Sequence, residues 1–108
     1  MPMLKPVPKP SFKRRVPTQS KRNRFSKKVR QQIYDRDNGK CRNCGDFGTE
    51  IHHVVFRSQG GRGVFTNGLL VCQPCHAKMH QHKILANKWV FLFEEYYGKD
   101  FYKDEWDE

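Results

Sequence analysis

The sequence predicts a small α+β domain stapled by metal, on three observations. Two C-x2-C pairs, Cys41-Arg42-Asn43-Cys44 and Cys72-Gln73-Pro74-Cys75, stand 27 residues apart. Between them the run Thr49 to Phe56, rich in β-branched and aromatic residues, reads as a strand. On either side of the pairs, apolar residues recur at helical spacing. A chain of 108 residues with 36% hydrophobic residues and a mean hydropathy of −0.90 buries only a thin core, which calls for such a staple.

Ser26 caps the first predicted element, a helix over Lys27–Arg36 with Phe25, Val29 and Ile33 on one face, and Asn38-Gly39 ends it. Pro74 suits the first position of a second helix, in which the i,i+4 spacing puts His76 and His80 on one face. Ile84, Leu85, Trp89, Leu92, Phe93 and Tyr96 approximate a stripe that predicts a closing helix, although Val90 to Phe93 alone would pass for a strand. Five of the six prolines fall in the first 17 residues. Residues 1–24 are therefore expected to be a basic, Pro-rich flexible arm, 25–97 the folded domain, and 98–108 an acidic tail.

Charge narrows the function. The net charge is +10 with a pI near 9.7, so a polyanion such as nucleic acid is the expected partner, and a metabolic enzyme acting on neutral substrates is disfavoured. Residues 1–40 carry 13 basic and 2 acidic side chains, whereas residues 94–108 carry 2 and 7. The longest apolar run, Trp89 to Phe93, is five residues against the roughly 20 needed to span a bilayer. With no secretory leader pattern at Met1 to Pro6, a cytoplasmic protein with reduced cysteines is expected.

Each cysteine pair can place two thiolates on one ion. Structural zinc on Cys41, Cys44, Cys72 and Cys75 is therefore preferred over two disulfides or four buried thiols. All five histidines lie between residues 52 and 82. Adjacent strand residues point to opposite faces, so His52 and His53 should have different tasks: one completes a metal site with His76 and His80, and the other stays unligated to accept a proton from water.

From Ile51 to Gly61, then Thr66-Asn67-Gly68-Leu69-Leu70-Val71-Cys72, then Cys75-His76 and His80, the chain resembles the HNH endonuclease motif in its four-cysteine zinc subtype. The basic helix before it resembles the entry to this core in small stand-alone nucleases of bacteria and their phages. Many members carry Asp-His where this chain has His52-His53, and the His-His form with a later H-x3-H is similar to colicin-type nuclease domains. The difference falls on a metal ligand and leaves the base in place.

The resemblance implies a ββα-metal (His-Me finger) core and metal-dependent hydrolysis of DNA, by nicking or double-strand cleavage with weak sequence preference. His53 would be the general base. Asn67, the middle letter of the motif, would brace the loop and hold His53 in orientation, although Asn67-Gly68 is also an ordinary hairpin-turn dipeptide. His52, His76 and His80 would bind the catalytic divalent ion, with Mg²⁺, Mn²⁺, Ni²⁺ and Zn²⁺ all open. Arg57 and Arg62, in a loop with Gly60, Gly61 and Gly63, and Lys27, Lys28 and Arg30 on the basic helix are the expected phosphate contacts. His82 matches no motif position. The alternatives are a non-catalytic zinc-stapled nucleic-acid-binding module, or a phage DNA-packaging accessory nuclease working with a phage or host protein. A monomer is expected.

Overall fold

The computed structural model describes residues 15–107. A short helix, α1 (Gln19–Asn23), is capped by the Thr18 hydroxyl, which accepts from the Lys21 amide at 3.3 Å. It leads into α2 (Lys27–Arg36), where the Ser26 hydroxyl accepts from the Val29 amide at 3.1 Å, as the sequence predicts. Asn38 and Gly39 take positive φ of 56° and 68° and end the helix.

Asp37, at the C-cap, ties α2 to the rest of the domain. Its buried carboxylate accepts from Arg36 at 2.7 and 2.8 Å, from Arg42 at 2.8 Å and from the Leu70 amide at 3.1 Å. Burial would raise its pKa, but these donors prevail and hold the carboxyl below its ordinary range. One side chain thereby fixes the first cysteine turn against the strand that carries Leu70.

Strand β1 (Glu50–His53) pairs antiparallel with β2 (Gly68–Val71), placing Glu50 opposite Val71, Ile51 opposite Leu70, His52 opposite Leu69 and His53 opposite Gly68. A two-stranded sheet is marginal alone, so the packing on its two faces decides its stability. On one face Leu69 and Val71 join Val54, which follows β1, Met79 from α3 (Gln73–Gln81), and Trp89 and Phe93 from α4 (Lys83–Tyr97). On the other, Leu70 packs with Phe25 and Ile33. Alternation along β1 sends His52 toward α3 and His53 toward α2, the division expected of adjacent strand residues.

The closing helix forms as expected, and Val90 to Phe93 lie within it. Pro74 occupies the second helical position, because α3 starts at Gln73 after an extended Cys72. Among the described residues no helix is long and apolar enough to cross a membrane.

The two ends differ from expectation. Of the segment read as a flexible arm, residues 1–14 lie outside the described residues, whereas Gln19–Asn23 form α1, with Asn23 buried. The acidic segment docks as well: Phe101 is buried against Phe93, and the Thr66 hydroxyl donates to the Phe101 carbonyl. The physical reason is pairing between the two ends. Arg22 donates to Asp104 at 2.8 and 2.9 Å and to Asp107 at 2.9 Å, burying charge that each segment would otherwise leave in water.

Candidate active site

The four cysteines come together as one cluster, with their sulphurs within 4.8 Å of one another and no disulfide among them. Four thiolates on a tetrahedral zinc would stand about 3.8 Å apart, so the donor set fits that ion. Burial disfavours a thiolate at Cys41, but the amides of Cys72, Cys44 and Asn43 outweigh it and hold its pKa down to about 6. The Asp46 amide favours a thiolate at Cys44, yet Cys72, burial, Cys75 and Cys41 outweigh it and push it up to about 12. One negative sulphur opposes the next until a cation joins them. Asn43 links the cluster to α4: it donates to the Cys75 sulphur at 3.3 Å and accepts from the Trp89 indole at 3.4 Å.

A second cluster forms where β1 faces α3. His52, His76 and His80 bring one ring nitrogen each to within 4.8 Å of the others. His52 is completely buried, and neither of its ring nitrogens has a hydrogen-bond partner. Leaving a buried polar atom unpartnered costs about 1–3 kcal/mol, a cost that lone-pair donation to a cation removes. Burial, reinforced by His76, His80 and His53, pushes the His52 pKa down to about 3, so the ring is neutral and its lone pair available at pH 7. His76 donates from Nδ1 to the Glu50 carboxylate at 2.7 Å, which in the neutral ring directs the Nε2 lone pair outward, 3.2 Å from Nε2 of His80. Carboxylate backing of this kind orients a ligating imidazole and raises its basicity. Phe56 stacks on the His80 ring with centroids 4.9 Å apart.

His53 is set apart from these three. Its Nε2 lies 2.5 Å from the Asn23 backbone oxygen and its ring packs on Phe25 at 4.2 Å. A carbonyl only accepts, so Nε2 carries the proton and Nδ1 keeps a free lone pair. Burial lowers its pKa, the Asn23 carbonyl works against that, and Arg57, His76 and His80 add to the lowering.

Asn67 is fully buried and clamps both ends of the loop between the strands. Its amide donates to the Val55 and Arg62 carbonyls at 3.2 and 3.0 Å, while its carbonyl accepts from the Val55 amide at 2.8 Å. It therefore braces the backbone beyond His53 and makes no hydrogen bond to the His53 ring. The hairpin-turn reading of Asn67-Gly68 does not hold: Asn67 closes a 3-10 turn (Phe65–Asn67) and Gly68 is extended at φ −109°. Two of the loop glycines permit close approach of protein backbone. A Cβ on Gly61 would stand 1.7 Å from the Val55 oxygen, and one on Gly63 2.2 Å from the Arg24 oxygen.

A groove of about 630 Å³ runs beside His53, lined by Arg24, Lys27, Arg30 and Arg57 with Phe25 and Tyr34. It adjoins a hollow shaped by His53, Phe56, Arg57, Ser58, His76 and His80. Of the residues expected to contact phosphate, Lys27, Arg30 and Arg57 line this groove, while Lys28 lies exposed outside it. Arg62 is placed elsewhere, its guanidinium committed to Asp107 and to the Asn23 side chain. His82 is exposed at the junction of α3 and α4.

Sequence reasoning missed Glu50 and Asn23. Glu50 was findable, since it lies two residues before His52 on the same strand face. Asn23 acts through its backbone and left no signal.

No curated protein matches the chain. Residues 41–82, the segment that holds both clusters together with His53 and Asn67, match the family model for HNH endonuclease, and the two-stranded sheet with its flanking helices and clustered cysteines is an α+β arrangement that fits a ββα-metal core.

Proposed function

We propose that this protein is a metal-dependent endonuclease that hydrolyses DNA phosphodiester bonds, with His53 as general base, Asn67 as the loop brace and His52, His76 and His80 holding the catalytic ion. The observation that carries it is the pairing of a buried, partnerless His52 among three converging imidazoles with a fourth, His53, whose Nδ1 lone pair is free. A purely structural site would have no use for the fourth.

In this reading Arg24, Lys27, Arg30 and Arg57 lie along the phosphates, giving affinity with little base readout. Nδ1 of His53 takes a proton from the attacking water, and the Asn23 carbonyl stabilises the imidazolium that results. A divalent ion, when bound, supplies positive charge to the phosphorane and to the leaving 3′-oxygen. His76 is kept in its ligating tautomer by Glu50, and Asn67 keeps the loop after β1 from shifting the base. The products are a 5′-phosphate and a 3′-hydroxyl. Cys41, Cys44, Cys72 and Cys75 hold a structural zinc.

The test is a supercoiled-plasmid assay of wild type and His53→Ala, matched for folding and zinc content, in EDTA and with Mg²⁺, Mn²⁺, Ni²⁺ or Zn²⁺. Wild type is expected to nick or linearise the plasmid only with added metal, and His53→Ala to fail. Equal DNA binding by both with no cleavage under any condition would favour the binding-module alternative.

A further inference from the structure

An unbroken chain of hydrogen bonds runs from the acidic C-terminal segment to the ring of His53. The Asp107 carboxylate accepts from Nε and Nη2 of Arg62, each at 3.1 Å. Arg62 Nη1 donates to the Asn23 side-chain oxygen at 2.8 Å, and the backbone oxygen of the same Asn23 accepts from His53. Arg62 is also gripped through its backbone: its amide donates to the Tyr102 carbonyl at 3.0 Å, and its own carbonyl accepts from Asn67. Asp107 in turn is held by Arg22 at 2.9 Å and by the Asp104 amide at 3.0 Å. The chain is well shielded, with Asn23 buried and the Arg62 side chain 12% exposed.

We propose that Arg62 and Asp107 are positioning residues that, through Asn23, hold the His53 imidazole in one tautomer and one orientation. The chemistry requires such a device. Asn67 stiffens the loop beyond His53 but does not reach its ring, and the ring is held by a carbonyl at the end of a five-residue helix, too short to be rigid alone. Arg62 supplies the rigidity, because a planar fork donating to Asp107 on one edge and to Asn23 on another fixes both at once. The acidic segment is then a built part of the site.

Its kinetic consequence rests on the proposed nuclease reading, whereas its spectroscopic consequence does not. The experiment compares zinc-loaded wild type, Arg62→Lys and Asp107→Asn by ¹⁵N correlation spectra of the histidine rings, with His53 assigned by its loss in His53→Gln. Cleavage kinetics and DNA affinity are measured on the same samples. Lysine keeps the charge but reaches one partner only, and asparagine keeps the shape but loses the paired acceptors. Wild type is expected to show a single Nε2–H tautomer with a slowly exchanging proton, and both variants a mixture of tautomers. In both, kcat is expected to fall about 100-fold, as for a reacting group displaced by an ångström, with KM and DNA affinity unchanged. A single tautomer and full kcat in variants that remain folded would overturn the proposal. So would a rise in KM and Kd at unchanged kcat, which would make Arg62 the phosphate ligand that its sequence context suggests. Should Arg62→Lys not fold, Asp107→Asn carries the same readouts. If wild type does not cleave but the tautomers redistribute, the positioning role stands and the nuclease reading falls.

Discussion

At the cysteine cluster three of the four sulphurs are buried, backbone amides and Asn43 surround them, and the pairs sit on the turn after α2 and at the start of α3. At the histidine cluster His52 is just as buried, but His76 is half-exposed and His80 exposed, and the hollow they border opens toward a cationic groove. Both clusters draw on α3 and on the same sheet, yet the cysteine cluster is largely closed and the histidine cluster opens to the groove. Closure distinguishes a structural metal site from a catalytic one. Stability should therefore depend on the first cluster and activity on the second.

The largest effect should come from breaking the closed site. Structural zinc contributes roughly 10–16 kcal/mol in small domains at neutral pH. A domain of this size has only about 5–15 kcal/mol to lose. Cys72→Ser, or prolonged chelation of wild type, is expected to abolish cooperative unfolding, read by circular dichroism during a thermal scan. A chelated protein that still unfolds cooperatively near the wild-type Tm would erase the distinction between the clusters.

The open site should respond in the opposite sense. His53→Ala should reduce the cleavage rate about 10²–10⁴-fold, the usual contribution of a general base, while leaving the thermal midpoint close to wild type. His52→Leu should eliminate metal binding at the histidines. In protein carrying one equivalent of zinc it should leave the Tm unchanged or raise it, because an apolar side chain removes two unpartnered nitrogens. A Tm drop of more than about 8 °C, worth more than 1 kcal/mol in a domain of this size, would mean that the histidines bind a structural ion after all. Glu50→Gln is the milder probe. It keeps an acceptor for His76 but loses the carboxylate charge, and should weaken metal affinity at the histidines about 10–100-fold by titration calorimetry, with the cysteine site untouched.

Much of this division was legible in the sequence, because it rests on local spacing. C-x2-C, the i,i+4 pair His76 and His80, and the alternation of His52 and His53 fix side-chain directions within one element, and the structure places all of them accordingly. The Ser26 cap and the closing helix are local signals of the same kind. Pairings over long sequence separations were not legible. Arg22 meets Asp104 across 82 residues, and Arg62 meets Asp107 across 45. Composition describes the two ends as a basic arm and an acidic tail. It cannot say that they meet, and so it read Arg62 as a phosphate contact. The Asn23 to His53 contact uses a backbone carbonyl, which every residue type offers equally.

The smallest expected effect tests that long-range pairing by pH. Arg62 donates to Asp107 and lowers its pKa, burial opposes this, and the Asp104 amide and the charges of Arg62 and Arg22 lower it further, so the net shift is downward. A depressed carboxylate stabilises the fold fully above its unfolded pKa of about 3.9 and loses that contribution as the pH falls through the folded value, because the unfolded chain takes up the proton first. Wild type should therefore unfold at higher urea than Asp107→Asn at pH 7. The gap should hold down to about pH 5 and narrow steadily below about pH 4. Comparing the two proteins cancels the acid sensitivity they share through Asp37 and the thiolates, which make no contact with Asp107. A gap that is absent at pH 7 would mean that the acidic segment lies loosely on the domain, and the separation of stability from activity would then rest on the cysteine and histidine clusters alone.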